Sequence, residues 1–248
     1  MESGLKLRAV WLSQGMCALD VGLYLVDHAT LVFGDLHLGF ESSLHGKGVL
    51  VPRFLFEEAK ARIERILDAA PGRVEQVVLN GDLKHEFGRI TDQEWREVLQ
   101  LFDLFQSRGI KVFIVKGNHD VAVTQLAGKR EVQVVDELRM GKVLIAHGDE
   151  IPSLDSCDTI IIGHEHPAIT LRDGPRHERF KCFLRGTFKG RTLIVMPSFL
   201  SASQGTDVLE QDRLSPFLQG DISRFEAYVV GDTVYYFGTL GKLAFRNV

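Results

Sequence analysis

The sequence has 248 residues, of which 45% are hydrophobic and 25% are charged, and its formal net charge is −4. These values are typical of a globular protein and exclude a disordered chain or a fibrous repeat. The negative charge also excludes tight nucleic-acid binding driven by net charge alone, although a local basic patch stays compatible with it. The length and the lack of a low-complexity linker predict a single domain over residues 1–248.

Three features of the sequence bear on its location. The longest apolar runs, such as Val74 to Leu79, have the length of strands and fall far short of the roughly 20 residues that cross a bilayer. The first residues mix charges with apolar side chains, unlike a secretory signal. Cys17, Cys157 and Cys182 are odd in number and lack C-x-x-C spacing, which argues against disulfides or a thiolate metal site. We therefore expect reduced cysteines and a cytoplasmic protein with no membrane partner; the oligomeric state stays open.

Short apolar runs rich in β-branched residues predict strands in the first two thirds of the chain. Five of them, each followed by a polar cluster, are Thr30 to Phe33, Gln76 to Leu79, Lys111 to Val115, Val143 to Ala146 and Thr159 to Ile162. Between the first three, apolar residues recur at helical spacing over Arg53 to Ala69 and Thr91 to Ser107. Pro71-Gly72 and Gly109 are the stop signals of these two predicted helices.

Strands dominate after Val132. The runs Arg191 to Met196, Glu226 to Val230 and Val234 to Phe237 follow one another, and Gly231-Asp232 predicts a hairpin turn between the last two. A βαβαβ first half and a mainly β second half together predict an α/β fold in which the halves pack as one sandwich.

Polar side chains follow each of the five strands predicted first. The clusters are Gly34-Asp35-Leu36-His37, Asn80-Gly81-Asp82, Gly117-Asn118-His119-Asp120, His147-Gly148-Asp149 and Gly163-His164-Glu165-His166. A lone histidine is usually structural, but these clusters hold five of the nine histidines in the chain. Because ligands bind at the carboxyl ends of strands in open α/β sheets, the set predicts one functional site at that edge.

The residue types in these clusters indicate metal binding. Imidazole and carboxylate ligands together favour manganese, iron or zinc, whereas magnesium and calcium prefer oxygen ligands alone. Seven residues are of ligand type, namely Asp35, His37, Asp82, Asn118, His147, His164 and His166. Since seven are too many for one metal that must also bind substrate, we predict two divalent ions, with manganese preferred. Two metals clamp the attacking and leaving oxygens in a displacement at phosphorus, which indicates phosphoester hydrolysis.

The ordered motifs D-x-H, G-D, G-N-H-D, H and G-H-x-H resemble those of the calcineurin-like metallophosphoesterase superfamily. They run from Asp35 to His166, over half of the chain, and are highly specific as a set. Within the superfamily, Gly34 to Gly39 and Gly81 to Phe87 resemble short archaeal phosphoesterases related to the SbcD nuclease. The resemblance implies a four-layer αββα sandwich.

The resemblance also implies a role for each motif residue. One metal would be held by Asp35, His37, Asp82 and His166, and the other by Asp82, Asn118, His147 and His164, so that Asp82 is the bridge. His119 would protonate the leaving alkoxide or stabilise charge on the phosphoryl group, and Asp120 would orient its imidazole. The expected mechanism is attack by a hydroxide lying between the metals, with inversion at phosphorus and no covalent phosphoenzyme.

Two nearby residues depart from the family pattern or have an open role. Many members have an acidic residue three positions after the bridging aspartate, where this chain has His85. We interpret His85 equally as a partner of a metal ligand, a phosphate contact or a surface residue. Lys84 is interpreted equally as solvated or functional.

A basic segment follows the last histidine pair. Arg172 to Arg191 contains seven Lys and Arg residues against two acidic ones, a net charge of +5. It either presents positive charge to a polyanionic substrate or forms a solvated β-hairpin. The loop Pro197 to Asp207 is either a simple turn or a segment in which Ser198 and Ser201 touch substrate.

The function expected from these observations is binuclear-metal-dependent hydrolysis of phosphodiester bonds, with a nuclease acting on nucleic-acid ends as one form. A small-molecule or nucleotide phosphohydrolase is the alternative among enzymes. A non-catalytic scaffold with the phosphoesterase fold is less favoured, because every expected ligand and His119 are present.

Overall fold

The computed structural model describes residues 7–87, 90–120, 123–124, 128, 130, 132–210 and 212–246. In these ranges the first sheet has seven strands in sequence order. They are β1 (Val10–Ser13), β2 (Met16–Leu19), β3 (Gly22–Leu25), β4 (Thr30–Gly34), β5 (Gln76–Asn80), β6 (Lys111–Val115) and β7 (Gln133–Val135). Neighbours from β1 to β4 are antiparallel, and those from β4 to β7 are parallel. The carboxyl ends of β4, β5 and β6 therefore lie side by side.

The second sheet is formed by the later strands. They are β8 (Glu137–Met140), β9 (Val143–Ala146), β10 (Thr159–Ile162), β11 (Pro167–Asp173), β12 (Arg176–Phe188), β13 (Arg191–Val195), β14 (Thr206–Asp207), β15 (Glu226–Val230) and β16 (Val234–Thr239). The order is β14-β11-β12-β13-β10-β9-β8, and β15 joins β12 to β16. Since β9, β10 and β13 are mutually parallel, their carboxyl ends also meet at one edge.

Helices form the outer layers. In the described ranges they are α1 (Phe40–Gly46), α2 (Leu55–Ala69), α3 (Asp92–Ser107) and α4 (Leu240–Arg246), with 3-10 turns at Val26–His28 and Pro216–Leu218. Thr91 and Glu94 start α3 with a capping box, in which each side chain accepts a hydrogen bond from the other's backbone N–H. No helix in the part of the chain described is long and apolar enough to cross a membrane.

Alternation along the strands of the second sheet divides the core in two. Ile145, Ile161 and Ile194 face the first sheet and share one cluster with its strands and with the apolar faces of α2 and α3. Their neighbours Ile160, Ile162, Leu144, Leu193 and Val195 face the other way, against the Pro216–Leu218 turn and α4. Because both faces are covered, these strands read as continuous apolar runs. The predicted four-layer αββα sandwich is confirmed.

The predicted elements are largely confirmed. Lys111–Val115, Val143–Ala146, Thr159–Ile162 and Glu226–Val230 have the predicted bounds, and Thr30–Gly34 and Gln76–Asn80 are each one residue longer. The basic segment contains the whole of β12, which forms a hairpin with β11. The N-terminal meander β1 to β3 was not predicted, because four-residue strands are too short for their alternation to stand out.

The two sheets are fastened together where their parallel strands end. The Asn80 side chain, at the end of β5, donates from Nδ2 to the carbonyl oxygen of Ala146, at the end of β9, over 3.0 Å. The backbone N–H of Phe199 donates to the carbonyl of Gly34 over 2.8 Å. The loops after β4, β5, β6, β9 and β10 therefore converge at one junction.

Candidate metal centre and active site

The backbone at this junction is unusual. Asp35, His37, Asp82, His164 and His166 all have positive φ, between 35° and 63°. Residues other than glycine rarely adopt this left-handed region, and such strain concentrates where a side chain must point in one functional direction. Five of the seven predicted metal ligands thus share a strained conformation that ordinary loops avoid.

The predicted ligands form two groups. Asp35, His37 and His166 offer ligand atoms that all lie within 4.8 Å of one another, and so do Asp82, His147 and His164. In the first group Nε2 of His166 lies 3.5 Å from Oδ2 of Asp35 and 3.4 Å from Nε2 of His37. Each group could hold one cation.

Asp82 lies between the two groups. Its Oδ2 atom is 3.8 Å from Nε2 of His37 in the first group and 3.7 Å from Nε2 of His147 in the second. Its Oδ1 atom accepts a hydrogen bond from the backbone N–H of His119 over 3.0 Å. This is the placement expected of a bridging carboxylate.

Asn118 joins the second group through His147. Oδ1 of Asn118 lies 3.0 Å from Nε2 of His147, which is also 3.1 Å from Nδ1 of His164. The structure therefore brings together all seven residues that the sequence selected as ligands, drawn from five loops and both sheets.

The carboxylates of the site have strongly shifted pKa values. Burial alone would raise the pKa of Asp35, but the imidazoles of His166, His147 and His37 outweigh burial and lower that pKa to about 2. Burial and the neighbouring Asp35 carboxylate raise the pKa of Asp82 to about 7. A second negative charge beside Asp35 is thus unfavourable unless a cation compensates it.

Three of the four ligand imidazoles have lowered pKa values, which favours the neutral form that binds metals, whereas in His166 the Asp35 carboxylate outweighs burial and raises the pKa. Burial lowers the pKa of His37 to about 3 and also lowers the pKa values of His147 and His164. Oδ1 of Asp35 is buried and has no hydrogen-bond partner among the described residues. Buried carboxylates and neutral imidazoles in two compact groups fit two divalent cations of the borderline type.

His119 borders this centre. Its Nε2 atom lies 3.8 Å from Oδ2 of Asp82, and its Nδ1 atom lies 2.5 Å from the backbone carbonyl oxygen of His85. A carbonyl oxygen only accepts hydrogen bonds, so Nδ1 carries a proton and Nε2 faces the candidate metal site. Burial lowers the pKa of His119.

Among the described residues the Asp120 carboxylate shows no hydrogen bond to His119, the contact by which it is expected to orient the imidazole. The Asp120 carboxylate is fully buried and accepts hydrogen bonds from the backbone N–H groups of Leu83, Lys84 and Gly117 at 3.0–3.3 Å. A side chain used in this way holds the loop of Asp82 against the loop of Asn118. Asp120 is therefore a support of the ligand loops, and the His85 carbonyl takes the position beside His119.

Glycines leave room for the ligands. A Cβ atom on Gly81, which has a φ of +75°, would lie 1.8 Å from Nδ1 of His147. A Cβ atom on Gly163 would lie 2.5 Å from Oδ2 of Asp35. The glycines of the G-D and G-H-x-H motifs are thus required by close approach of the neighbouring loop.

Several supporting residues were missed by the sequence reasoning. Glu165 is buried between two predicted ligands, and its Oε2 accepts from the backbone N–H groups of Leu214 and Ser215, both over 2.8 Å. Oε1 of Glu94 accepts from the backbone N–H groups of His85 and Glu86. Only the position of Glu165 inside G-H-x-H gave any signal, since the other contacts depend on long-range packing.

The structure narrows the open interpretations of three polar residues. Lys84 is fully buried and its Nζ donates to the carbonyl of Glu86, so it is not solvated. The His85 ring packs edge-on against Phe40 and His37, which excludes a free surface position. Ser198 is buried and donates to the carbonyl of Asp35 over 3.0 Å, so it supports a ligand loop.

Most cationic side chains of the basic segment contact carbonyl or carboxylate groups of this chain. Nζ of Lys181 donates to the carbonyls of Ser198 and Leu200, and Arg179 donates to the carbonyl of Gly205. The other contacts join Arg172 to Glu210, Arg185 to Leu12 and Glu226, and Arg191 to Cys157 and Lys189. The segment is a hairpin that braces the loop after β13 through Arg179 and Lys181.

The sequence of residues 28–196, more than half of the chain, matches the family model described as calcineurin-like phosphoesterase. The chain belongs to this family. Comparison with curated proteins finds no match.

Solved structures resemble this calcineurin-like phosphoesterase in fold. The nuclease MPE of Pseudomonas putida aligns with a TM-score of 0.66 and 20% identity over 93% of this chain and 100% of that one. A predicted phosphoesterase of Streptococcus pneumoniae aligns with a TM-score of 0.32 and 15% identity over 84% of this chain and 96% of that one. Vps29 of Cryptosporidium parvum aligns with a TM-score of 0.35 and 17% identity over 85% of this chain and 97% of that one.

Family membership agrees with the geometry of the site. This phosphoesterase is a hydrolase of phosphoester bonds, and the family uses divalent metal ions, for which the chain offers two groups of Asp and His ligands. Its substrate is therefore a phosphoester.

Proposed function

We propose that this phosphoesterase is a two-metal phosphodiesterase that acts on nucleic acid, with manganese as the working ion. The observation that carries the proposal is the position of Asp82, whose Oδ2 lies within 3.8 Å of a ligand from each group and of Nε2 of His119. A carboxylate shared by two ligand groups would hold two metals close together, as in sites that clamp the attacking and leaving oxygens of an in-line displacement at phosphorus.

Asp35, His37, Asp82 and His166 would hold one ion, and Asp82, Asn118, His147 and His164 the other. When bound, the two ions supply a water of lowered pKa as nucleophile and positive charge for the phosphoryl oxygens. The strained backbone of the ligand loops and their buried supports fix the side chains before the ions arrive, which reduces the reorganisation needed on binding.

His119 would handle the proton of the leaving group. The His85 carbonyl holds the proton on Nδ1, so Nε2 is the atom that faces the substrate. When Nε2 is protonated, it can donate to the departing alkoxide, which is general acid catalysis. The phosphorus is attacked directly by water, so no side chain serves as a covalent nucleophile.

Two observations bear on the substrate. The similarity in fold to the Pseudomonas putida nuclease, over the full length of that chain, supports a nucleic acid. Arg172 and Arg185 are paired with carboxylates, and Arg179 and Lys181 donate to backbone carbonyls. These contacts make the cations less available to a polyanion, which favours the second candidate, a small-molecule or nucleotide phosphohydrolase.

The test is hydrolysis of bis(4-nitrophenyl) phosphate beside 4-nitrophenyl phosphate, each with manganese, with a chelator and with His119→Ala. We expect diester turnover that needs both metal and His119, with manganese content near that of the wild type in His119→Ala. Preference for the monoester would favour the second candidate. Absence of turnover in protein that carries two ions would contradict the proposal.

Two broader proposals accompany this one. Residues 1–248 form one domain, which the shared core of α2, α3 and both sheets supports. The protein works in the cytoplasm, which is supported by Cys17, Cys157 and Cys182, all free and buried as expected in a reducing compartment.

A further inference from the structure

One large aromatic side chain lies at the mouth of the site with no role so far. The Phe87 ring stacks on the His119 imidazole, with ring centroids 3.6 Å apart and an interplanar angle of 32°. The side chain is nevertheless 62% exposed. Since His119 covers one face of the ring, the exposed area is largely the opposite face and the edge.

The backbone leading to Phe87 is firmly held. The N–H groups of His85 and Glu86 donate to Oε1 of Glu94 over 3.1 and 2.8 Å, and the carbonyl of Glu86 accepts from Nζ of Lys84. Lys84 and Glu94 are both fully buried. The ring is thus presented by an ordered segment, so a partner that stacks on it has less conformational entropy to overcome.

One groove beside the centre is unsuitable for a polyanion. A groove that includes Asn118 and His147 is also lined by Asp136, Glu137, Asp149 and Glu150. Its lysine, Lys116, is paired with Asp136 over 2.5 Å. Phosphates would be repelled from this groove, which disfavours it as the path of a nucleic-acid strand that reaches the metals.

We propose that Phe87 is the stacking platform for the nucleobase next to the scissile phosphate. The inference rests on the proposed function and specifies its substrate: a phosphodiester with a base on the nucleoside that lies against His119. Every base has a π face, so stacking of this kind tolerates any sequence and contributes affinity that does not depend on cations. The same contact aligns the leaving nucleoside with Nε2 of His119.

The test compares two diesters that differ in one base. One is a dinucleoside phosphate, and the other carries an abasic sugar on one side of the phosphate; both abasic isomers are used. In Phe87→Ala the kcat/KM ratio of the base-bearing to the abasic diester should fall roughly 5- to 150-fold, the loss expected for one stacked base. Phe87→Trp should restore the ratio, and Phe237→Ala, on the edge strand β16, should keep it.

Binding supplies a second readout. The probe is a dinucleoside methylphosphonate, which resists hydrolysis and carries 2-aminopurine as the base. Stacking is monitored through the quenching of its fluorescence. The wild type and Phe87→Trp should quench it, and Phe87→Ala should raise the Kd by a similar factor. Equal losses on base-bearing and abasic diesters, or unchanged Kd in Phe87→Ala, would overturn the inference and leave Phe87 as a support of His119. Wild-type protein that cleaves neither diester would overturn the proposed function as well.

Discussion

The Nδ1 atom of His119 lies 2.5 Å from the backbone carbonyl oxygen of His85. A main-chain carbonyl, and not a carboxylate, therefore fixes the imidazole that borders the metal centre. The segment that offers the carbonyl is held in turn by Glu94 at the start of α3. The geometry of His119, the proposed catalytic histidine, thus depends on a helix cap, which connects the outer helical layer to the candidate site.

Asp120→Ala should destabilise the protein without changing the pH dependence of its residual turnover. The variant leaves three buried N–H groups of Leu83, Lys84 and Gly117 without an acceptor, which should lower the free energy of unfolding by about 2–5 kcal/mol. Urea denaturation with a chelator measures this loss. Asp120→Asn retains one of the two acceptor oxygens, so its free energy of unfolding should lie between those of the wild type and Asp120→Ala. A shifted pH–rate profile at unchanged stability would instead indicate that Asp120 acts on His119.

Asp82→Asn should weaken the binding of both ions together. Asp82 contacts a ligand of each group, and the amide has no negative charge to offer, so affinity should fall at least roughly tenfold at each site. Manganese titration by calorimetry and metal content after gel filtration measure the effect. Asp149→Asn is the matched control: this exposed carboxylate lies outside both groups, and its variant should retain two ions. Loss of one ion only would show that Asp82 is not the bridge.

The fold was predictable to the extent that its strands are buried on both faces. Runs such as Thr159–Ile162 are continuous and apolar, and their ends are marked by glycines and polar residues, so bounds and ligands could be read together. The seven predicted ligands follow these strands in the sequence. They come together in the structure because parallel strands end at one edge. The meander β1 to β3 was missed because its pattern is too short to distinguish it from a loop.

The supporting contacts could not be predicted in the same way. The sequence places Asp120 next to His119, yet the carboxylate binds the backbone of residues 83, 84 and 117. From the sequence Lys84 is equally solvated or functional, whereas in the structure it is buried and its Nζ donates a hydrogen bond to the carbonyl of Glu86. Contacts with distant backbone groups leave no periodic trace in a sequence, so adjacency along the chain was a poor guide to adjacency in space.

Gly163→Ala should weaken ion binding at the group of Asp35, His37 and His166 more than at the other group. The added Cβ atom would lie 2.5 Å from Oδ2 of Asp35, which is fully buried and has no room to withdraw. The resulting overpacking should cost about 1–3 kcal/mol of stability. Gly46→Ala is the matched control, because a Cβ atom there meets nothing within 4 Å in helix α1. Manganese titrations that are identical for the two alanine variants would contradict this account.

Lys181 should make stability depend on pH in the alkaline range. Burial, with a contribution from Arg62, lowers the pKa of Lys181 to about 7, while an unfolded lysine titrates near 10.4. Between these values the unfolded chain binds more protons than the folded one, so the free energy of unfolding should rise with pH by up to about 1.4 kcal/mol per unit. Below pH 7 the cost of burying the charge is fully present, and the contribution no longer changes with pH.

The Lys181→Met variant isolates this contribution. Methionine keeps the apolar stem but removes the hydrogen bonds to the carbonyls of Ser198 and Leu200, a loss that is the same at every pH. Cys17, whose pKa burial raises to about 11, is present in both proteins and cancels in the comparison. Urea denaturation with a chelator at pH 7, 8, 9 and 10 should therefore give a steeper rise for the wild type than for the variant, by a few kcal/mol across the range. Parallel curves would mean that Lys181 enters the folded state with its proton and that its two carbonyl partners, rather than loss of charge, make its burial tolerable.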